Sequence, residues 1–151
     1  MPTAQVKKFL DSNNVKYLSI KHSPSYTAQE VAASAHIPGK NMAKTVIVKL
    51  DGTMAMVVEP ANHKVNFDHL KKICGARDVA LASESEFQDR FPECELGAMP
   101  PFGNLYGMDV FIVDTLTSDE EILFNAGTHS ELIKMSYKDF ARLVSPKVIS
   151  Q

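Results

Sequence analysis

Tryptophan is absent from the 151 residues and aromatic residues make up only 8%. The chain therefore has no obvious platform for stacking along a nucleic-acid single strand. It has two cysteines, Cys74 and Cys94, neither near metal-ligand spacing, where a secreted disulfide framework would carry more. No run approaches the roughly 20 apolar residues that a membrane span needs. The opening MPTAQVKKFLDSNN is amphipathic and too polar for a signal peptide. Charge of one sign is not in excess either: the net charge is −2, which argues against a nonspecific nucleic-acid binder. DNA is further disfavoured by the lack of a helix-turn-helix or basic-region pattern. These absences predict a cytoplasmic protein with reduced thiols, no metal, no cofactor and no membrane association.

What the chain does have is ordinary for a globular protein, with 44% hydrophobic and 23% charged residues. Its length suits one domain with a real core, and no linker or repeat divides residues 1–151. Residues 3–14 are expected to form a helix with Val6, Phe9 and Leu10 on one side, followed by a strand over Val15–Ile20. Thr27 and Glu30 form a capping box for an Ala-rich helix that ends before Pro38-Gly39. TVIVKL and TMAMVVEP flank Asp51-Gly52, a strong hairpin signal because that pair accepts positive φ. Asn66 caps FDHLKKIC, which Gly75 stops. Val79–Ala82 is a short strand, and Ser83 with Glu86 caps a helix to about Arg90. The strands MDVFIVDT, EILFNAG and Glu131–Met135 follow, and Ser136 with Asp139 opens the helix YKDFARLV. The pattern predicts an α+β fold with a mixed, curved sheet. No long apolar stripe is left over, so a monomer is expected.

Three features suggest chemistry. GAMPPFGNLYG (97–107) carries three glycines and two prolines in eleven residues, too many for a helix or an interior strand. Such a loop can hold amides in fixed directions for an oxyanion, or it can be a plain structural connection. Lys44 heads TVIVKL, where its ammonium can reach into a cleft as a point charge for phosphate, although most single lysines are merely solvated. His129 follows Asn125-Ala-Gly127-Thr128 at a strand end, a setting that suits an acid, base or donor. His36, His63 and His69 read as surface residues. Lys40, Lys44, Lys64, Lys71, Lys72 and Arg77 form a candidate local basic patch. Neither Ser130 nor Cys94 sits in a nucleophile elbow.

Ala43-Lys44-Thr45, Gly97-x-x-x-Pro101 and Asn125-Ala-Gly-Thr-His129, in that order, resemble the YbaK/prolyl-tRNA-synthetase-associated editing domain family. VVEPANHKVNFDHLKKICGARDVALASESEF and PPFGNLYGMDVFIVDTL extend the likeness over roughly residues 20–148. The resemblance implies a mixed, partly rolled β-sheet with helices packed around it. It also implies a free-standing hydrolase that cleaves the ester of mischarged tRNA, with alanine the first candidate and serine, threonine or cysteine the others. The partner implied is the CCA end of that tRNA, with an aminoacyl-tRNA synthetase as a second candidate partner.

By position, the resemblance implies that Lys44 holds the terminal adenosine's phosphate. Gly97 to Pro101, with Met99 and Pro100, orient the ester carbonyl and limit side-chain size. His129 stands near the aminoacyl group, and Asn125 and Gly127 let that strand end approach the substrate. Tyr26 and Thr27 are candidates for one pocket wall, and Phe102, Gly103 and Asn104 for its floor; loop packing and capping are the alternatives for these. The rival to an enzyme is a noncatalytic module that binds an amino acid or a tRNA end.

Overall fold

The computed structural model describes residues 2–21, 42–60, 63–92, 94–95, 98–118, 120–128 and 130–150. His22, Tyr26, the Thr27–Glu30 capping box, His36, Lys40, Gly97 and His129 lie outside them. The described elements are α1 (Pro2–Ser12), β1 (Tyr17–Lys21), β2 (Met42–Leu50), β3 (Thr53–Pro60), α2 (Phe67–Cys74), β4 (Val79–Leu81) and α3 (Glu84–Phe87). They continue with β5 (Asp109–Val113), α4 (Asp114–Thr117), β6 (Glu121–Asn125), β7 (Glu131–Ser136), α5 (Tyr137–Val144) and β8 (Lys147–Ile149). The strands form one mixed sheet in the order β1-β7-β6-β2-β3-β5-β8, with β4 paired to β2. This is the α+β architecture expected from the sequence.

The hairpin forms where the Asp-Gly signal places it. Asp51 and Gly52 have φ of 50° and 86°, the pair of positive values that a two-residue turn between twisted strands requires. Asp51 Oδ1 also accepts the amides of Arg77 and Asp78 (2.9 and 2.8 Å), which ties the turn to the entry of β4. Asn66 accepts the His69 amide at the start of α2, and Gly75 ends that helix at φ 66°. Ser83 and Glu86 form the expected capping box. At α5 the Ser136 hydroxyl accepts the Asp139 amide (3.1 Å), while the Asp139 carboxylate lies 3.5 Å from Arg142.

Two differences concern short elements. The stretch read as MDVFIVDT leaves the sheet after Val113 and makes one turn of helix, α4. Beyond Pro146 a three-residue strand, β8, pairs in parallel with β5.

Strand alternation divides the apolar residues between the two faces of the sheet. Ala43, Ile47, Met56, Val58, Val110, Ile112, Ile122, Phe124, Ile133 and Met135 point to one face, where Val6 and Leu10 of α1 and Phe140 of α5 join them. Val48, Ala55, Val57, Phe111 and Val113 point to the other, with Leu70 of α2 and Ile149. No helix among the described residues is long and apolar enough to cross a membrane.

The first helix is held by charge as well as by packing. Glu131, buried on β7, receives Lys7 of α1 at 2.6 Å and the hydroxyl of Ser19 on β1. Burial alone would push this carboxyl up, but the hydrogen bonds from Lys7 and Ser19 outweigh it and hold it below the usual carboxylate range. A carboxylate with a depressed folded-state pKa adds stability above its unfolded pKa and loses it as pH falls through the folded value. Glu131→Gln should therefore cost about 1–2 kcal/mol at neutral pH, a charged hydrogen bond discounted for the partial exposure of Lys7. In urea melts, the gap from the parent should close as pH drops below the carboxylate range.

Candidate functional site

The strand pairing brings two of the three motif segments side by side. In the parallel β2–β6 pair Ala43 lies opposite Phe124. The next residues along, Lys44 and Asn125, therefore stand level on the opposite face of the sheet from the Phe124 ring. Beyond Asn125 the chain turns through Gly127, whose φ of 103° strongly favours glycine. The Gly127 amide donates to the Ala98 carbonyl (2.9 Å), and the Gly127 carbonyl accepts from the Glu95 amide (2.8 Å). The third segment is thus bonded to the second. Thr128 and Ser130, which flank His129, have their hydroxyls 3.3 Å apart.

Residues 98–107 form a folded layer. Ala98, Met99, Pro100, Pro101 and Phe102 are all buried. Met99 and Phe102 belong to the core on the α1 side of the sheet, where the Phe102 ring packs edge-on against Phe9, Phe124 and Phe140 at 5.8, 5.4 and 5.5 Å. Asn104 is exposed and opens, with Gly107, Asp109, Ser145 and Lys147, onto a cleft of about 280 Å³. That cleft adjoins the hairpin end of the sheet, since Asp109 pairs with Ala55. A second cleft of about 340 Å³, lined by Asp51, Cys74 and Lys147 among others, also lies at that end. Asn104 is therefore not brought together with Lys44.

Gly103 has a packing reason for being glycine. A Cβ there would lie 2.4 Å from the Met108 carbonyl oxygen and 2.5 Å from Val110 Cγ2. Its own carbonyl accepts the amides of Tyr106 and Met108, both at 2.9 Å. Gly103→Ala must push backbone against backbone, and should cost about 1–3 kcal/mol as an overpacking change. Chemical denaturation of the variant checks this.

Lys44 is the charged centre of the arrangement. Its ammonium donates to the His63 carbonyl (2.5 Å) and lies 3.5 Å from Glu59 Oε1, with 35% of the side chain exposed. Glu59, directly opposite in the β2–β3 register, is 1% exposed. Burial pushes the Glu59 carboxyl up, against the opposing pull of Lys44 and His63. Glu59 is the site residue that residue-by-residue reading misses. Its signal was present in the hairpin: a two-residue turn at Asp51-Gly52 sets Leu50 against Thr53, and counting back pairs Lys44 with Glu59. Among the described residues no three His, Cys, Asp or Glu side chains are grouped to hold a metal ion.

Comparison with known proteins bears on the family and the fold. A proline–tRNA ligase of Bacillus mycoides (strain KBAB4) is 32% identical over 75 residues, which is 50% of this chain and 13% of the ligase. A ligase of Bacillus cereus (strain AH187) matches to the same extent, so the chain spans only a small part of these relatives. The crystal structure of a candidate trans-editing enzyme for prolyl-tRNA synthetase superposes with a TM-score of 0.85 at 15% identity, covering 99% of this chain and 95% of that one. The crystal structure of a hypothetical protein gives 0.84 at 20% identity, covering 97% of each chain. These likenesses show a shared fold. The model of the aminoacyl-tRNA editing domain matches residues 22–143, and the chain belongs to that family.

Proposed function

We propose that the chain is a trans-editing aminoacyl-tRNA deacylase, acting in the cytoplasm on mischarged tRNA that carries a small amino acid. Alanine is the first candidate, and serine, threonine and cysteine follow. The observation that carries this reading is the double backbone link of Gly127 to Glu95 and Ala98, just beyond the strand end where Asn125 stands level with Lys44. It ties the close-approach glycine to the loop that we propose faces the ester carbonyl. The related ligases are named for proline, which makes a prolyl-tRNA synthetase the natural partner.

The physical need is plain. A synthetase pocket discriminates against a smaller side chain by only about 1–3 kcal/mol per methylene, so a second site admitting only the smaller residue supplies the missing selectivity. In the proposed reaction water attacks the ester carbonyl, the bond to the ribose oxygen breaks, and that oxygen takes a proton as the free amino acid leaves. Lys44 anchors the phosphate of the terminal adenosine. Pro100 and Pro101 have no N–H, and the Ala98 amide donates to Glu95. Among the described residues of the loop that leaves the Met99 amide for the carbonyl oxygen, and the family resemblance adds Gly97. His129 sits beside the aminoacyl group, and the terminal ribose hydroxyl helps to place the water.

The test is a panel of tRNAs charged with Ala, Cys, Ser, Thr and Pro. Rapid loss of one mischarged ester, with Pro-tRNA(Pro) spared, is the expected result and names the substrate. Esters stable across the panel in the presence of folded protein would leave a binding module instead.

A further inference from the structure

We propose that Glu59 is a positioning residue for Lys44, its buried carboxylate and the His63 carbonyl together holding the ammonium from the protein side so that its remaining donor faces outward. This rests on the deacylase reading, which gives Lys44 its ligand. An ammonium has three donors and no acceptor. One goes to the His63 carbonyl at 2.5 Å, and a second is drawn toward Glu59 Oε1 at 3.5 Å. With the side chain 35% exposed, the third is left to point to solvent, on the side where the proposed phosphate would arrive.

The state of Glu59 argues that it is more than a packed residue. Both its carboxylate oxygens are buried without a hydrogen-bond partner among the described residues. Placing a carboxylate there costs stability, and an apolar residue would continue the face that Ala55 and Val57 occupy along this strand. Among the described residues the titratable groups acting on it are Lys44 and His63. What the carboxylate does supply is an orienting charge beside a flexible four-carbon side chain whose freedom would otherwise blur the anchor. A neutral isostere would keep the shape and lose that orientation.

The test uses the full chain with Glu59→Gln, Lys44→Ala and the double variant, in two measurements. The first is the side-chain ¹⁵Nζ resonance of Lys44, seen by NMR when an ammonium is held against exchange. It should be visible in the parent and lost in Glu59→Gln; an unchanged resonance overturns the proposal. The second is kcat/KM on the mischarged tRNA that the panel identifies. Glu59→Gln should lose about tenfold to hundredfold, the scale of one close, desolvated charge pair, and lose nothing further when added to Lys44→Ala. An equal loss in both backgrounds, or none in either, overturns the proposal. If the parent cleaves no ester, the deacylase reading fails, and the NMR measurement still decides whether Glu59 positions Lys44.

Discussion

Lys44→Ala is expected to lower kcat/KM for the mischarged ester by about 100-fold, the scale of loss when a substrate is no longer held in its reactive geometry. Lys44 does not touch the bond that breaks in the proposed reaction, so its contribution is made at a distance. Binding energy gained at the phosphate is used to fix the carbonyl against the loop amides. The loss should therefore appear in kcat as well as in KM, whereas a lysine that only attracts RNA would raise KM alone. Single-turnover kinetics at saturating tRNA separate the two. Lys8→Ala, an exposed position on α1, serves as the control and should leave both constants unchanged. The Lys44 variant also leaves Glu59 as a buried carboxylate without its cation. Its melting temperature should accordingly fall further behind the parent as pH rises, because a carboxyl with a raised folded-state pKa weighs against folding once it must ionise.

Phe102→Ala should cost about 3–5 kcal/mol, the usual range for emptying a buried aromatic site. That is a third or more of the stability of many domains this size. The ring is fully buried among Phe9, Phe124 and Phe140, which come from α1, β6 and α5, so its removal loosens three elements at once. Phe102→Leu, which refills part of the cavity, should recover part of the loss. Urea denaturation of both variants decides between a core and a pocket-floor role for this residue. A pocket-floor residue would instead leave stability near the parent's and change which amino acid is cleared.

How legible these features were depends on whether their cause is local. The Asp51-Gly52 hairpin, the Asn66 and Gly75 limits of α2 and the Ser83–Glu86 box are set by residues a few positions apart, and each stands where its signal predicts. β8 was hidden because three residues, two of them exposed, carry no alternation and follow a proline. α4 was hidden because Val113 and Thr115 favour a strand while the single helical turn between β5 and β6 is a matter of chain direction. At the site, composition marked 97–107 as a shaped loop but not which way each side chain turns. Phe102 owes its identity to Phe124 and Phe140, partners that no window around the loop reveals, and Gly103 to Met108 and Val110, near in sequence but brought against it only by the fold of the segment. Glu59 lies between these cases: its neighbour is distant in sequence, yet a turn of known length makes the distance countable.

β1 finds its only described strand neighbour in β7, where Tyr17 meets Met135 and Lys21 meets Glu131. Nearly the whole chain therefore separates the two halves of this ladder. Closing so wide a loop carries an entropic cost that must be met before the ladder forms. During synthesis the first helix and strand emerge long before their partners exist, and they must wait with Leu10 and Val6 uncovered until residue 136 has left the ribosome. Completion of the sheet is thus a late event, and the amino-terminal segment is the part most dependent on chaperone cover in the interval.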